Sequence, residues 1–239
     1  MSNFIITKEF SDLFPKAEIA IILAKNLDNS EDAVSPIRGQ INEELKAANT
    51  KAKDYLTADV FSENKVISVW RQAFQKFKTK KGARCSIEAM LKRIDKGNEI
   101  GPINPLVDIY NTVSLNYGIP CGGEDIDSLK GDMLLTVAKG GESFLPLGAD
   151  SHDDALAGEV IYRDDEGAVC RCWNWREGER TMLTEGTKNA FLIIESVDPQ
   201  RHEEFVEAAK ELESKVKKYF ECETQLHLMN VDNSEIGIK

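Results

Sequence analysis

The sequence lacks any long apolar run. Its longest apolar stretch, near Ile19–Ala24, is far shorter than the roughly 20 residues that a membrane-spanning helix needs. The first residues also lack the charged segment, the apolar segment and the cleavage site of a secretory signal peptide. We therefore expect no membrane partner and a cytoplasmic location.

Cysteine and histidine are scarce. Five cysteines, an odd number, match no disulfide framework, and the three histidines lie far apart in the sequence. Cys170 and Cys172 alone are close together, and residues two apart on a strand share a face. We interpret them as two small packing side chains, with a metal or redox pair as the alternative. The leading expectation is that the protein has no metal site and no cofactor.

Familiar catalytic signatures and an excess of positive charge are also missing. No glycine-rich phosphate loop follows a predicted strand, and no Gly-x-Ser-x-Gly elbow is present. The 41 acidic residues outnumber the 30 lysines and arginines, which gives a net charge of −11. Overall charge therefore disfavours nucleic-acid binding, and we expect no DNA partner. A local basic patch remains compatible with RNA binding.

Such a patch is present in the first half of the chain. Fourteen consecutive residues contain six basic side chains and no acid: Arg71, Lys76, Lys78, Lys80, Lys81 and Arg84. Three more, Lys92, Arg93 and Lys96, follow on the next predicted helix. The pattern leaves two interpretations open, a solvated helix face and a surface that contacts RNA phosphates.

Helices dominate the first hundred residues, and short strands follow. Ser35 and Pro36 predict the start of a charged, mostly solvated helix that runs to about Leu56. An apolar stripe predicts a second helix over Lys65–Phe77. An apolar run predicts an early buried strand over Ile19–Leu23. Later strands are expected at Met133–Ala138, Phe144–Leu147, Glu159–Tyr162, Ala168–Trp175, Ala190–Ser196 and Cys222–Met229.

This order of elements predicts an α+β fold with a mainly antiparallel sheet packed against helices. We expect a single domain over residues 1–239. It would comprise a helix-rich part (1–100), a core that carries the motifs (101–229) and a loose polar tail (230–239).

One predicted helix carries a polar stripe opposite its apolar side. Asn104 occupies an N-cap position before a proline, and Gly118 is expected to end the helix. Asn104, Asp108 and Asn111 are spaced four and three residues apart, so they share one helix face. They either hold the following loop in place or contact a ligand directly.

A second notable stretch begins at two of the three tryptophans. On one strand, Trp173 and Trp175 would point the same way, with Asn174 and Arg176 on the other face. Glu195 ends a run of four apolar residues. It is either a surface charge at a strand end or an anchor at the rim of a pocket.

These stretches resemble the B3/B4 module of phenylalanyl-tRNA synthetase β chains, and we expect a free-standing relative of it. The resemblance covers residues 102–195. The matching features, in the family's order, are Asn104, Asp108, Asn111, Gly118 and Pro120, then Asp125, the turn Ala138–Glu142, Thr187, Asn189 and Glu195. It implies an α+β B3/B4-like fold and hydrolysis of tyrosine from wrongly charged tRNA(Phe), which is editing by a second pocket.

The resemblance also assigns residues and exposes departures. Glu195 would bind the amino acid, and the family's loop histidine falls at Gly122, beside Gly123. The family's glycine-rich segment is mostly replaced by residues 173–176, whose tryptophans would narrow the pocket or stack on a ring. The pocket is therefore expected to hold something other than tyrosine.

Two main functional hypotheses remain. The first is a trans-acting aminoacyl-tRNA deacylase, with the basic residues 71–84 on tRNA phosphates and no assigned general base. The second is a non-catalytic module that binds a small amino-acid-like ligand or RNA in the same cavity. A protein-interaction subunit that keeps only the fold is a third possibility. The sequence does not indicate an oligomeric state.

Overall fold

The computed structural model describes residues 2–239. Within that range the helices are α1 (Lys8–Leu13), α2 (Glu31–Val34), α3 (Arg38–Lys51), α4 (Lys65–Phe74), α5 (Ser86–Asp95), α6 (Pro105–Tyr117) and α7 (His202–Phe220). The strands are β1 (Asn3–Ile6), β2 (Glu18–Lys25), β3 (Cys121–Asp125), β4 (Met133–Val137), β5 (Val160–Arg163), β6 (Ala168–Arg171), β7 (Arg176–Glu177), β8 (Ala190–Ser196), β9 (Glu223–Met229) and β10 (Glu235–Gly237).

The strands form two sheets that face each other. The four-stranded sheet has the order β3-β8-β2-β9 and is antiparallel throughout. The six-stranded sheet has the order β10-β1-β4-β5-β6-β7, in which only β1 and β4 pair in parallel. The predicted α+β class with a mainly antiparallel arrangement is confirmed. None of the helices formed by residues 2–239 combines the length and the apolar character needed to cross a membrane.

The central strand β2 supplies side chains to two cores, because alternate residues of a strand face opposite sides. One core lies between the two sheets, and the other lies between the four-stranded sheet and helices α6 and α7. Each isoleucine or leucine side chain buried in this way stabilises the fold by about 1.5–3 kcal/mol. Those facing the first core are Ile19, Ile21 and Leu23, and those facing the second are Ala20, Ile22 and Ala24.

The first long helix begins later than predicted, and most of its residues are solvent-exposed as expected. The Ser30 hydroxyl accepts a hydrogen bond from Ala33 N at 3.2 Å and caps the short helix α2, and α3 starts only at Arg38. Ser30 is followed by two acidic residues, which makes it a better helix start than Ser35. In α3, Ile41 is buried in the core that α6 and α7 line.

The strand predicted over Ala168–Trp175 is interrupted by a turn. β6 ends at Arg171, and Cys172 and Trp173 follow with φ angles of 46° and 65°. These positive values reverse the chain before β7 begins. The two tryptophans therefore do not share a strand face, and neither do the two neighbouring cysteines. The described cysteines are all unpaired and buried.

Two further predictions about the later chain are wrong. Phe144–Leu147 is not a strand, because only Pro146 makes an isolated bridge, to Gly178. The tail expected to be loose is also ordered, since β10 pairs with β1 and Ile238 is fully buried. A polar segment pairs here because β1 would otherwise leave its backbone groups open at a sheet edge.

Candidate functional site

The register between β3 and β8 places several side chains on the face between the sheets. Gly122 pairs with Ile193, and Glu124 pairs with Phe191. Glu195 lies two residues beyond Ile193 and therefore faces the same way. These five residues form one wall of a small buried pocket.

The opposite wall comes from the six-stranded sheet and from the turn before β7. The pocket volume is about 30 Å³, which is room for a water-sized group and not for an aromatic ring. Cys121 and Gly123 of β3 also line the pocket, and the residues that complete the lining are Met133, Tyr162, Cys170, Asn174 and Glu177.

Glu195 lies inside this pocket and is not a surface charge. The carboxylate is 1% exposed. The Tyr162 hydroxyl donates to Oε1, and Asn174 Nδ2 donates to Oε2 at 2.5 Å. Burial raises the pKa of Glu195 to about 7, although both hydrogen bonds favour the charged form. Both carboxylate oxygens are therefore engaged by the protein itself.

Glu124 and Glu177 are two further acids in the same pocket. The Oε2 atoms of both are buried and accept no hydrogen bond from within residues 2–239. Burial and the neighbouring Glu177 hold the pKa of Glu124 well above its usual range. Burial also raises the pKa of Glu177. Two buried carboxyl groups in contact retain a proton unless a cation lies between them.

The sequence reasoning did not single out Glu124, Glu177 or Tyr162. Glu124 carried no usable local signal, because Gly122 was expected to lie in a loop, and only the strand β3 places the two residues on one face. Glu177 and Tyr162 had none either, because they belong to the other sheet.

The two glycines of β3 have different roles. A Cβ at Gly122 would lie 3.3 Å from the Glu177 Oε1 atom, so the missing side chain leaves room for that carboxylate. A Cβ at Gly123 would lie 2.7 Å from Leu192 and 2.8 Å from Leu183, which is closer than packing allows. Gly122 therefore leaves room for a carboxylate in the pocket, whereas Gly123 allows close packing of Leu183 and Leu192.

The polar stripe of α6 is divided between structure and site. Asn104 Oδ1 caps α6 by accepting from Val107 N at 3.1 Å, and it also accepts from Asn29 Nδ2 at 3.1 Å. Asp108 forms an ion pair with Arg38 at 2.7 Å. Asn104 and Asp108 therefore hold neighbouring segments in place.

Asn111 lies instead on the wall of a wider outer groove. This groove has a volume of about 560 Å³ and shares Cys121, Asn174 and Glu177 with the small pocket. Its remaining walls are largely apolar or aromatic. They include Met90, Ile103, Val107, Tyr110 and Trp175.

Trp173 is a core residue and does not reach the groove. Its indole is fully buried, with ring centroids 4.9 Å from Phe10, 4.5 Å from Phe14 and 5.0 Å from Trp70. The expectation that it stacks on a ligand is wrong, because the turn at residues 172–173 directs it inward. Trp175 remains partly exposed at the groove.

The predicted basic stretch is split by the fold. Arg71 pairs with Glu88 at 2.7 Å, and Lys80 pairs with Asp153. Arg84, at its end, instead lines an open surface beside the outer groove. We call this surface the basic face; its cations are Arg84, Lys92, Arg93, Lys96 and Arg176.

The basic face adjoins the outer groove directly. Ala89, Arg93 and Trp175 line both. The buried acidic pocket, the apolar groove and the basic face therefore adjoin one another in this order from the interior to the surface, and we call this series the path. Of the predicted residues, Asn111, Gly122, Gly123, Asn174, Trp175, Arg176, Glu195 and Arg84 line this path.

Comparisons with known proteins agree with this architecture. Over 102 residues the chain is 33% identical to the phenylalanine–tRNA ligase beta subunit of Fusobacterium nucleatum, which covers 42% of this chain and 12% of that subunit. Over 101 residues it is 37% identical to the same subunit of Bartonella henselae, with 41% and 12% covered. The chain thus matches only about an eighth of the length of these relatives.

A solved structure shows a similar fold. It is an N-terminal fragment of the phenylalanyl-tRNA synthetase beta subunit from Pyrococcus horikoshii, with a TM-score of 0.50 and 13% sequence identity. The likeness covers 92% of this chain and 49% of that fragment. A family model described as the B3/4 domain matches residues 69–230. Because this match spans more than half of the sequence, the chain belongs to the B3/4 domain family.

Proposed function

We propose that this protein hydrolyses the ester bond of mischarged aminoacyl-tRNA, acting in trans in the cytoplasm. The observation that carries the proposal is the path from the acidic pocket through the apolar groove to the basic face. A charged tRNA end presents the same order of chemistry: an amino acid, an aromatic base and a row of phosphates.

The outer groove suits the terminal nucleoside and the stem of the amino acid. Its volume of about 560 Å³ lies within the roughly 300–1,000 Å³ typical of small-molecule sites. Trp175 and Tyr110 offer aromatic surface, and stacking a base on such a ring contributes about 1–3 kcal/mol. The adenine would lie against Trp175, and the amino acid would extend toward the small pocket.

The basic face would contact tRNA phosphates. The chain carries a net charge of −11, so a cluster of cations beside the groove orients an anionic ligand toward it. Arg93 and Trp175 line both surfaces, so a backbone held there leads directly into the groove.

The chemistry requires attack of water on the ester carbonyl. The amide of Asn111 lines the groove and would donate to that carbonyl. The ribose hydroxyl of the substrate would position the water. No side chain is assigned as a general base, because both oxygens of Glu195 already accept hydrogen bonds from Tyr162 and Asn174.

A complete panel of correctly charged and mischarged tRNAs tests the proposal. We expect the purified protein to release one amino acid well above the spontaneous rate. Trp175→Ala should lower kcat/KM roughly tenfold, because a stacked base is lost. Glu195→Ala should abolish release, since Tyr162 and Asn174 lose the group that positions them.

The control is Glu185→Gln, at an exposed residue outside the path, which should leave release unchanged. Absence of release from every tRNA in the panel would contradict the deacylase proposal.

A non-catalytic binding module is the second candidate. The observation that favours it is the engagement of both Glu195 oxygens by Tyr162 and Asn174, which reduces the capacity of that carboxylate for direct recognition of a substrate. This function predicts that an amino-acid-like ligand raises the Tm while no ester is hydrolysed.

A further inference from the structure

We propose that Glu124, Glu177 and Asn174 form a binding site for a primary ammonium group, so that the ligand of this protein is an amine. The inference deepens the proposed function by naming the substrate group held in the small pocket. It rests on that function only for the source of the amine, which would be the amino acid of the charged tRNA.

Three buried acceptors without a charged donor carry the argument; the neighbouring donors, the Thr181 hydroxyl and the Cys170 thiol, are neutral. The acceptors are Glu124 Oε2, Glu177 Oε2 and Asn174 Oδ1, and all three residues line the pocket of about 30 Å³. Glu124 is only 5% exposed. Buried polar atoms in folded proteins are almost always hydrogen-bonded. An ammonium group has three N–H donors and no acceptor, which matches this set in number and in kind.

The Asn174 acceptor is fixed by the protein. Its Nδ2 atom donates to Glu195 Oε2 at 2.5 Å, and this hydrogen bond leaves Oδ1 as the free end of the amide. The role of Glu195 is then to orient Asn174. Glu195 would then not contact the ligand itself, because the Tyr162 hydroxyl donates to its other oxygen.

The protein's own cations are committed elsewhere. Arg180, whose charge acts on Glu124, forms hydrogen bonds of 2.7 and 2.8 Å with the two oxygens of Asp164. Arg171 on β6 pairs with the buried carboxylate of Glu159 at 2.6 Å. A neutralising charge between Glu124 and Glu177 is therefore a proton or a cation that enters from the groove.

The size and lining of the pocket select the kind of cation. A calcium ion takes about six to eight oxygen ligands, whereas much of this lining is sulfur, methyl or aromatic ring. The small volume accepts a compact ammonium head more readily than a planar guanidinium. The apolar part of the lining is Cys121, Met133, Phe191 and Ile193.

Binding exchanges one cation for another. The ammonium takes the place of the proton shared by Glu124 and Glu177, and that proton leaves to solvent. Affinity should therefore rise with pH until the amine loses its own proton, near about pH 10 for a side-chain ammonium and near about pH 8 for an α-ammonium. The other titratable or charged groups that act on the pair are Tyr110, Cys121, Tyr162, Cys170, Arg180 and Glu195.

These neighbours do not reverse the sign of the pH dependence. Burial raises the pKa of the Cys170 thiol and of the Tyr110 and Tyr162 phenols, so they stay neutral in this range. Glu195 itself titrates near pH 7, and its ionisation adds negative charge close to the ammonium. It therefore acts in the same direction as the pair.

Calorimetry with three small probes tests the site and identifies the source of the amine. Nα-acetyl-lysine methylamide offers a side-chain ammonium, norleucine methylamide offers an α-ammonium, and Nα-acetyl-norleucine methylamide offers neither. We expect one of the two ammonium probes to bind the intact chain and to release about one proton to solvent on binding. The neutral probe should bind more weakly by roughly tenfold or more, because charge-assisted hydrogen bonds are about twice as strong.

Isosteric variants connect the binding to the residues. Glu124→Gln and Glu177→Gln should each lower the affinity by roughly tenfold or more and abolish proton release. Glu185→Gln, at an exposed position, should change neither. Equal binding of the neutral probe, or full affinity in both glutamine variants, would overturn the inference. Proton release by the unaltered protein tests the site even if a variant does not fold.

The two proposals can fail separately. Amine binding without hydrolysis of any charged tRNA would keep the ammonium site and remove the deacylase. Hydrolysis of a charged tRNA, with no preference for the ammonium probes, would keep the deacylase and remove the ammonium site.

Discussion

Glu195 contributes both to the stability of the protein and to the arrangement of the pocket. Its carboxylate accepts from Tyr162 on the opposite sheet and from Asn174 in the turn before β7. These contacts connect the two sheets across a core that is mostly apolar. The same burial raises its pKa to about 7, so its protonation changes within the physiological range.

Glu195→Gln should flatten the pH dependence of folding. The folded pKa of about 7 exceeds the ordinary value of 4.5, so the folded state holds the proton more tightly. This contribution is fully present below about pH 4.5 and is lost as the pH rises through 7. The loss is on the order of 3 kcal/mol, and glutamine removes it.

Urea unfolding between about pH 5 and pH 8 measures this effect. Glu124 and Glu177 act in the same direction, so the difference between the variant and the unaltered protein isolates Glu195. Equal pH slopes of the free energy of unfolding in the two proteins would show that Glu195 keeps an ordinary pKa.

Among the elements, α6 and the turn after β6 decide the geometry of the site. The Asn104 cap and the left-handed Gly118, with φ of 59°, set where α6 begins and ends, and α6 in turn presents Asn111 to the groove. The turn at Cys172 and Trp173 brings Asn174 and β7 over the pocket. Its unusual backbone angles are held by the burial of the indole among aromatic rings.

Asn104→Ala and Asn111→Ala should affect different properties, the first stability and the second substrate use. The first removes a helix cap and one of the two acceptors of Asn29 Nδ2, so the free energy of unfolding should fall by about 2 kcal/mol with KM unchanged. The second should leave stability nearly unchanged and weaken substrate use. Denaturant unfolding and steady-state kinetics separate them. A raised KM in the folded Asn104 variant would contradict its structural role.

Across the whole molecule, positive charge is rare and locally concentrated. The basic face gathers cations from the loop before α5, from α5 and from β7 onto one surface. The rest of the chain carries the excess of acid. Since the basic face adjoins the outer groove, a polyanion is attracted to the entrance of the path and repelled from other surfaces.

Replacing Arg93 and Lys96 with alanine should weaken tRNA binding and its salt dependence together. Each lost phosphate contact lowers the slope of log K against log salt by about one, so the double variant should lose about two. Titrations at several salt concentrations measure the slope. Lys217→Ala, at an exposed position of α7, is the matched control. An unchanged slope in the double variant would exclude the basic face as the phosphate surface.

Local chemistry was sufficient to predict much of the framework. The Asn104–Pro105 start, the Gly118 end and the apolar β2 and β8 segments follow from capping, backbone freedom and burial, which act over a few residues. The motif order from Asn104 to Glu195 was likewise sufficient to indicate the family.

The pocket itself depended on contacts between distant segments. Glu177 reaches Glu124 only because Trp173 turns inward against Phe10 and Phe14, which lie far away in the sequence. The basic stretch was divided in the same way, by acids that no local pattern connects to it. Spacing along the chain determined the helices and strands, whereas packing between the two sheets decided which carboxyl groups meet and which acceptors are left for a ligand.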